Sequence, residues 1–282
     1  MAQALRSSAA RLRSAGIDDA DLEAEVLLRH ATGLTREQLF ARLQEPLART
    51  SRAAFSKLLL RRLAHEPAAY ITGHREFFGL DLACSPAALI PRQETELLVE
   101  VAVAWVMGHG SRVKAPRVVD VGTGNGAIAV ALAVHLPQAR VVAVDTSRGA
   151  LQLARRNALA HGVARRIEFV QGSLLTALRG EFDLVVANLP YVPSRAYATL
   201  APEVRDHEPE QALNAGRRGT SLIEALLASA SGGLRPGGLL LAEHGWNQGR
   251  LLRDAASSAF PRARVETKRD LAGRERLLVV ET

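Results

Sequence analysis

The chain has 282 residues, of which 48% are hydrophobic and 23% are charged, and its formal net charge is +7. This length allows one or two domains with a sizeable core, and the composition is ordinary for a globular protein. No apolar run approaches the roughly 20 residues of a membrane-spanning helix, so we expect no such span and no membrane partner.

Cysteine and histidine usage narrows the chemistry. Cys84 is the single cysteine, which excludes an internal disulfide framework and predicts a reducing, cytoplasmic compartment. The 8 histidines are scattered, and none stands at metal-ligand spacing from Cys, Asp or Glu. We therefore expect no metal site.

The excess of positive charge comes almost entirely from arginine. A basic surface can attract an acidic or nucleic-acid partner. The arginines are nevertheless spread along the chain, and they are neither massed in one run nor interleaved with aromatic residues. We therefore favour a solvated surface, and nucleic-acid binding stays open as the less favoured alternative.

Residues 1–70 predict a small all-α domain of short amphipathic helices. Apolar residues recur there at helical spacing between capping and stop residues, and no stretch has strand character. The predicted start and stop signals are Gly16, Asp18 to Asp21, Gly33, a capping box of Thr35 and Gln38, a cap at Thr50 or Ser51, and Glu66-Pro67.

Residues 71–94 change in character. Gly73, Gly79, Pro86 and Pro91 interrupt short stretches of alternating apolar residues, a pattern typical of a β-hairpin. We predict a hairpin linker that joins the helical domain to the rest of the chain.

Residues 95–282 predict an α/β domain. Near-continuous apolar strands separated by helices are typical of a parallel sheet covered on both faces. We predict a Rossmann-like, mainly parallel sheet, with one antiparallel strand from a C-terminal hairpin. The strand candidates are residues 117–122, 139–145, 167–172, 182–188 and 238–245, and the hairpin turns at Ala272-Gly273.

The segment VVDVGTGNGAIAVALAVHL places a glycine-rich turn between a strand and a helix. Gly122, Gly124 and Gly126 have G-x-G-x-G spacing, with Thr123 and Asn125 between them. Glycines let a backbone turn tightly and approach a ligand closely, and the amides that open the following helix face the same cleft. We predict a ligand-binding loop.

Asp145 ends the next predicted strand, about 20 residues after this loop. A carboxylate there can accept hydrogen bonds from both hydroxyls of a ribose, so we predict a site for a nucleoside-containing cofactor. No Walker lysine follows the loop, which disfavours a nucleoside triphosphate. NAD stays open, but the loop spacing and Asp120 before it are more similar to the S-adenosylmethionine loop of class I methyltransferases.

The stretch FDLVVANLPYVPS ends a predicted buried strand on Asn188, Leu189, Pro190 and Tyr191. The side-chain carbonyl of Asn188 and the main-chain carbonyl of Leu189 can accept the N–H groups of an amide or amine and orient its lone pair for methyl transfer. Pro190 biases Leu189 toward an extended conformation, and Tyr191 offers a flat ring to a planar group. We predict a catalytic corner that acts through proximity and orientation.

These motifs together resemble those of the HemK-type release-factor glutamine methyltransferases. YITGHREFFGL, LIPRQETELLVE, the glycine loop, NLPYVP, HEPEQAL and GGLLLAEHGWNQG carry the resemblance over nearly the whole chain, with Glu243, Gly245 and Gln248 in place in the last. The resemblance implies a class I methyltransferase fold with S-adenosylmethionine as the cofactor. It implies class I peptide chain release factors as the substrate, methylated at the side-chain nitrogen of the glutamine in their Gly-Gly-Gln motif.

The resemblance also assigns roles. It implies that Asn188, which also borders the cofactor, and the Leu189 carbonyl hold the glutamine amide, and that the N-terminal helices help to recognise the release factor. The implied cofactor contacts are Gly122 to Gly126 for the methionine moiety, Asp145 for the ribose, and Ser173 and Leu174 near the adenine.

The chain departs from the family pattern in several places. Leu189 replaces the first proline of Asn-Pro-Pro-Tyr, Gln93 replaces a proline of the linker, Ser173-Leu174 replaces an acidic-aromatic pair, and Arg218 stands where an acidic residue is usual. Asn-Leu-Pro-Tyr also occurs in rRNA adenine dimethyltransferases. Two alternatives therefore stay open: an N-methyltransferase acting on adenine or guanine of rRNA or DNA, and an inactive methyltransferase-like binding module.

Overall fold

The computed structural model describes residues 1–109, 114–176 and 178–282. These residues form two compact units, one of Met1–His74 with Ala201–His207 and one of Arg75–Leu200 with Glu208–Thr282. The domain bounds predicted at residues 70 and 94 stay predictions. No signal in the sequence pointed to the grouping of residues 201–207 with the N-terminal helices.

The first unit is helical. Its N-terminal part contains α1 (Ala2–Ser14), α2 (Ala20–Thr32), α3 (Arg36–Ala41), α4 (Arg49–Leu63) and α5 (Ala68–Thr72). Leu12, Leu27, Leu28 and Leu39 are fully buried, because amphipathic helices hide their apolar stripes against one another. Residues 1–70, all of them described, contain no strand, so the all-α prediction is confirmed.

Several predicted helix ends are confirmed. α1 ends before Gly16 and α2 before Gly33, and both glycines adopt positive φ angles, 74° and 69°, as helix-ending glycines do. Asp19 is the N-cap of α2. In front of α3, Thr35 accepts from the N–H of Gln38 and the Gln38 side chain accepts from the N–H of Thr35, which completes the predicted capping box.

The predicted cap of α4 at Thr50 or Ser51 is wrong. The N-cap is Ala48, which provides no side-chain cap, and both hydroxyl residues lie inside the first turn. Leu47, just before the helix, is buried in the core of the helical unit. Burial of Leu47, and not a capping hydroxyl, therefore sets where α4 begins.

The predicted hairpin is confirmed, although it is shorter than residues 71–94. β1 (His74–Phe77) and β2 (Leu80–Ala83) form a two-stranded sheet, and Phe78 and Gly79 between them adopt positive φ angles. α5 extends into the start of the predicted linker, because Ile71 is buried in the core of the helical unit.

The second unit alternates helices and strands. In chain order it contains α6 (Glu96–Gly108), β3 (Arg117–Val121), α7 (Ala127–His135), β4 (Arg140–Asp145), α8 (Arg148–Ala160), β5 (Ile167–Gln171), β6 (Phe182–Ala187) and α9 (Ser194–Tyr197). The chain then passes through α10 (Pro202–Arg205) of the helical unit. It continues with α11 (Ser221–Ala230), β7 (Leu234–Glu243), α12 (Gly249–Ala259), β8 (Arg264–Arg269) and β9 (Glu275–Glu281).

β3 to β9 form one sheet with the strand order β5-β4-β3-β6-β7-β9-β8. The first five strands are parallel, and β9 runs antiparallel to both of its neighbours. α6 and α7 pack in one core cluster with the sheet, and α11 and α12 pack in a second cluster. All six residues of β6 are buried, as expected when helices cover both faces. The predicted mainly parallel sheet with one antiparallel strand is confirmed.

β7 differs from the strand predicted at residues 238–245. It begins at Leu234 and ends at Glu243. Gly237 adopts a φ of 75°, and the register with β6 shifts next to it. A bulge therefore lets the strand continue through Pro236-Gly237, which the sequence pattern marks as a break.

Candidate active site

A cavity of about 240 Å³ lies at the carboxyl ends of the central parallel strands, where ligands bind in open α/β sheets. Loops that follow β3, β4, β5 and β6 line it, together with residues 87–92 and Thr95 before α6. Two predicted site residues, Gly126 and Tyr191, are not among the lining residues. Those that line it are Gly122, Thr123, Gly124, Asn125, Asp145, Ser173, Leu174, Asn188, Leu189 and Pro190.

The glycine loop after β3 packs closely against neighbouring segments of the chain. Gly122 has a φ of 76°, and a Cβ added there would lie 2.9 Å from Cδ2 of Leu189. Gly126 has a φ of 84°, and its added Cβ would lie 2.9 Å from the Cβ of Ala154 on α8. Gly122 thus lets Leu189 approach the loop closely, whereas Gly126 allows the close packing of α8.

Asp120, the fourth residue of β3, anchors the loop from inside. It is completely buried, and its Oδ2 accepts from the Thr123 hydroxyl at 2.7 Å and from the N–H of Ala129 at 3.1 Å. Oδ1 is buried with no hydrogen-bond partner among the described residues. Burial raises the pKa of this carboxyl group to about 7.

Asp145 ends β4 at the rim of the cavity. Its Oδ2 accepts from the N–H of Gly124 at 2.9 Å, and its Oδ1 accepts from the N–H of Ser147 at 2.8 Å. Each carboxylate oxygen can accept a further hydrogen bond. The carboxylate is therefore held in place by backbone amides and keeps acceptor capacity for two vicinal hydroxyls.

Asn125 links the loop to the hairpin. Its Nδ2 donates to the carbonyl of Ala83 at 3.3 Å. Asn157 of α8 donates to the carbonyls of Asn125 and Ala83 at 2.8 and 3.1 Å, and its Oδ1 accepts from the N–H of Ala83 at 2.8 Å. The Asn125 side chain thus supports the loop from the hairpin side.

Ser173 and Leu174 form a turn after β5. The carbonyl of Ser173 accepts from the N–H of Thr176 at 3.2 Å, and Leu174 has a φ of 52°. The N–H of Gly172 donates to the carbonyl of Asp145 at 3.0 Å, which ties this turn to the end of β4. The two residues line the cavity with a hydroxyl and an apolar side chain.

Asn188 follows β6, and its NH₂ group is held by a buried chain of hydrogen bonds. Nδ2 donates to Oγ1 of Thr95 at 3.0 Å, and Thr95 Oγ1 donates to Oε2 of Glu243 at 2.7 Å. Thr95 ends a 3₁₀ turn before α6, and Glu243 ends β7. Among the described residues no hydrogen bond engages Oδ1 of Asn188.

Glu243 joins Tyr191 to the same chain. Only 3% of its surface is exposed, and burial raises the pKa of its carboxyl group. Its Oε1 accepts from the Tyr191 hydroxyl at 3.2 Å, and burial, followed by the charge of Glu243, raises the pKa of this phenol. The predicted role of the Tyr191 ring as a flat surface for the substrate stays a prediction.

Gln248 fixes the backbone beyond the corner. Its Nε2 donates to the carbonyls of Tyr191 and Gly219 at 2.9 and 3.3 Å, and its Oε1 accepts from the N–H of Gly245 at 2.8 Å. A Cβ added to Gly219 would lie 2.8 Å from the carbonyl oxygen of Tyr191. Three separate chain segments are therefore packed at the exit from the corner.

Glu208 connects two segments of the cavity wall. It is buried, its Oε2 accepts from the N–H of Ile90 at 3.1 Å, and its Oε1 pairs with Arg92. Ile90, Arg92 and Pro209, which follows Glu208, all line the cavity. The carboxylate thus holds the loop before α6 to the segment after α10.

Arg218 and Gln93, two departures from the family pattern, lie outside the lining. The Arg218 guanidinium is 3.5 Å from Glu224 of α11, and Gln93 begins the 3₁₀ turn that Thr95 ends. Neither substitution places its side chain on the cavity surface.

Metal and thiol chemistry have no visible centre in the described parts of the chain. Residues 1–109, 114–176 and 178–282 contain no group of three or more His, Cys, Asp or Glu that could hold a metal ion. Cys84 is buried, and burial raises its pKa to about 12, so it is a poor nucleophile. Within the same ranges no helix is long and apolar enough to cross a bilayer.

Two family models match the chain, the PrmC N-terminal domain over residues 3–73 and the Methyltransferase small domain over residues 95–205. A release factor glutamine methyltransferase of Moorella thermoacetica is 44% identical over 275 residues, 97% of this chain and 95% of that protein. One of Bradyrhizobium diazoefficiens is 42% identical over 270 residues, 96% of this chain and 91% of that protein. The chain belongs to the release factor glutamine methyltransferase family.

Solved structures share the fold of this chain. The hMettl16 catalytic domain in complex with MAT2A 3′UTR hairpin 1 has a TM-score of 0.60 at 18% identity, over 76% of this chain and 79% of that chain. At such low identity the likeness shows the shared class I methyltransferase fold and nothing about the substrate.

Three residues of this family member were missed by reasoning from local sequence. Thr95 and Glu208 lie inside stretches that carry the family resemblance, yet nothing in their spacing pointed to the cavity. Asn157 lies in the middle of a helix, where an asparagine gives no signal of its own. A buried polar residue needs hydrogen-bond partners, and those partners are identified only once the chain is folded.

Proposed function

We propose that this protein transfers a methyl group from S-adenosylmethionine to the side-chain amide nitrogen of a glutamine, the one in the Gly-Gly-Gln motif of class I peptide chain release factors. One observation carries the proposal. The glycine loop and Asp145 line the same cavity as Asn188 and Leu189, so a cofactor at the first pair meets a substrate at the second. Relatives named for this substrate support the choice of a release factor.

The loop residues suit an adenosyl cofactor. The Asp145 oxygens keep lone pairs for the ribose hydroxyls while Gly124 and Ser147 hold them in place. Leu174 and Ala150 give the cavity apolar surface for the base. When bound, S-adenosylmethionine supplies an electrophilic methyl group.

The catalytic corner makes the amide nitrogen a better nucleophile. Asn188 Oδ1 accepts one N–H of the glutamine and the Leu189 carbonyl accepts the other, which turns the nitrogen lone pair toward the methyl group. Both acceptors stabilise the positive charge that develops on the nitrogen, and this selectively lowers the energy of the transition state. Leu189 acts through its main chain, so the replacement of a proline there leaves the acceptor in place.

The partner is a protein, and its recognition involves more than the cavity. We assign to the N-terminal helices a part in recognising the release factor, supported by the match of residues 3–73 to the PrmC N-terminal domain. A release factor acts in translation, so we place the enzyme in the cytoplasm, consistent with its single, buried thiol.

The test is mass spectrometry of a class I release factor after incubation with the protein and S-adenosylmethionine. We expect one added methyl group, located on the Gly-Gly-Gln glutamine by peptide fragmentation. A substrate in which that glutamine is replaced by alanine should gain nothing. An unmodified release factor, with methyl transfer to rRNA or DNA in parallel reactions, would replace this proposal by the nucleic-acid alternative.

Asn188→Ala provides the enzyme-side control. We expect turnover to fall by roughly a hundredfold or more, as for the loss of one preorganised polar group. The dissociation constant of S-adenosylmethionine, measured by calorimetry, should stay nearly unchanged. If cofactor affinity collapses together with turnover, Asn188 belongs to the cofactor site or to the fold and not to the transfer step.

A further inference from the structure

We infer that Thr95 and Glu243 are positioning residues that set which end of the Asn188 amide faces the substrate. The inference rests on the proposed function, because it gives Asn188 Oδ1 the role of acceptor. Its basis is the chain of hydrogen bonds from Asn188 Nδ2 through the Thr95 hydroxyl to the Glu243 carboxylate.

The direction of this chain follows from counting protons. The lock requires the ionised form of Glu243: that carboxylate can only accept, so it takes the single hydroxyl proton of Thr95. The Thr95 oxygen then has only lone pairs to offer to Asn188. An NH₂ group can meet them, whereas an amide oxygen would be repelled. The Asn188 amide is therefore locked with Nδ2 toward Thr95 and Oδ1 left for the substrate.

An asparagine amide needs such a lock because its two ends have nearly the same size and shape. In the reversed orientation, Nδ2 would present N–H donors to the N–H groups of the glutamine, and no acceptor would orient the lone pair. Packing alone cannot distinguish the two orientations. Only a neighbour with fixed donor and acceptor polarity can, and Thr95 has that polarity because Glu243 fixes it.

Burial makes the lock effective. Thr95 and Glu243 are each 3% exposed, so water does not compete for their hydrogen bonds, and an unpaired polar group there is costly. Tyr191 donates to the second oxygen of Glu243, which leaves Oε2 as the acceptor for Thr95. The family's tyrosine thus supports the polarity of the chain from the far side.

The first experiment measures turnover of the release factor by Thr95 variants. Thr95→Val keeps the shape and removes the polarity, so we expect kcat to fall roughly tenfold to a hundredfold, as for loss of a group that orients a functional side chain. Glu243→Gln should also lower kcat. The NH₂ group of the glutamine can donate to the Thr95 oxygen, and the Thr95 hydroxyl can then donate to Oδ1 of Asn188, which reverses the direction of the hydrogen bonds. Thr95→Ser should restore turnover to within about threefold of the original.

Thr220→Val is the matched control. Thr220 is also a buried threonine that donates to a glutamate, Glu224, at 2.7 Å, and it lies outside the cavity lining. It should lose a comparable hydrogen bond and leave kcat unchanged. The dissociation constant of S-adenosylmethionine should stay within about twofold for all of these variants, which separates positioning from cofactor binding.

A second readout does not depend on the substrate. In the free protein, the side-chain NH₂ resonances of Asn188, assigned by their loss in Asn188→Ala, should show one hydrogen-bonded proton that exchanges slowly with water. Thr95→Val should abolish that protection, and Thr95→Ser should keep it.

The inference is overturned if Thr95→Val has normal turnover, if Thr95→Ser falls as far as Thr95→Val, or if the Asn188 protons do not respond to Thr95→Val. Normal turnover in Glu243→Gln removes Glu243 from it. If the unaltered protein methylates no release factor, the proposed function fails, and the resonances of Asn188 still decide whether the lock exists.

Discussion

The Asp145 carboxylate accepts hydrogen bonds from two backbone amides, so replacing this residue should affect the loop as well as ligand binding. Asp145→Ala removes the acceptors that we propose for the ribose hydroxyls, and it also removes the hydrogen bonds to the Gly124 and Ser147 amides. We expect the dissociation constant of S-adenosylmethionine to rise by roughly tenfold or more, as for loss of hydrogen bonds to a charged group. Calorimetry measures it, with Asp254→Ala on the exposed face of α12 as the control. An unchanged constant removes Asp145 from the cofactor site.

Asp120 predicts a dependence of stability on pH. Burial raises its pKa to about 7, whereas an aspartate in an unfolded chain has a pKa of about 3.9. The folded state therefore keeps the proton where the unfolded state has lost it. The stability contributed by this group is fully present below about pH 4 and is lost as the pH rises to about 7.

Asp120→Asn should remove that dependence because the amide mimics the protonated acid. We expect the difference in unfolding free energy, variant minus original protein, to become more positive between about pH 5 and pH 8, because only the original protein loses stability over that range. Urea unfolding at these two values measures the gain, which should reach a few kcal/mol at most. A difference between the two proteins that does not vary with pH contradicts the proton held by Asp120.

At the scale of elements, Gly126 sets the distance between the glycine loop and α8. Gly126→Ala must accept both a positive φ and a Cβ 2.9 Å from Ala154, with the Ala154 Cα at 3.0 Å. Gly162→Ala is the control, because Gly162 also has a positive φ, of 70°, but its added Cβ would meet nothing within 4 Å.

We expect Gly162→Ala to cost about 1 kcal/mol of unfolding free energy for its φ alone. Gly126→Ala should cost about 2 to 4 kcal/mol, because backbone and helix must also move. Thermal or urea unfolding of both variants measures the difference. Equal costs would mean that α8 yields without strain and that close packing is not the reason for this glycine.

The elements could be predicted where their signals are local. The strands β3 to β6, the helix-ending Gly16 and Gly33 and the capping box of Thr35 depend on residues a few positions apart. The cap of α4 and the start of β7 were mispredicted because each is decided by a distant partner. Leu47 finds its core across the helical unit, and β7 follows the register of β6.

At the scale of the whole molecule, the ion pairs of Arg62 connect residues 201–207 to the N-terminal helices of the helical unit. The Arg62 side chain is 3% exposed and pairs with Glu23 of α2 at 2.7 Å and with Glu203 of α10. Arg62→Leu leaves both carboxylates without their ion-pair partner. We expect the free energy of unfolding to fall by about 2 to 4 kcal/mol. This is below the full cost of breaking a buried ion pair, because Glu203 stays partly hydrated.

Arg61→Leu is the control, because Arg61 is adjacent on α4 but forms a more exposed pair with Glu66. It should cost no more than about 1 kcal/mol. Hydrogen exchange of α4 and of residues 201–207 reports both variants, and only Arg62→Leu should accelerate it in α10. Faster exchange in α10 for Arg61→Leu as well would assign the effect to α4 as a whole.

The candidate site could be predicted from the sequence only in part. The glycine loop, Asp145 and Asn188 could be predicted as cavity-lining residues because each belongs to a short motif at a strand end. Thr95 lies 93 positions from Asn188, and Glu243 lies 148 positions from Thr95. No pattern in one sequence links such positions, because their hydrogen bonds exist only once α6, β6 and β7 have packed together.

The position of β9 between β7 and β8 has a consequence for folding during translation. A ribosome delivers the chain N-terminus first, so β7 emerges before residues 275–281 that pair with its edge. Until they follow, that edge exposes unpaired N–H and C=O groups and can join another nascent strand. Glu243 ends β7 opposite Leu277 of β9, so the strand end that carries this carboxylate gains its antiparallel partner only after β9 has been translated.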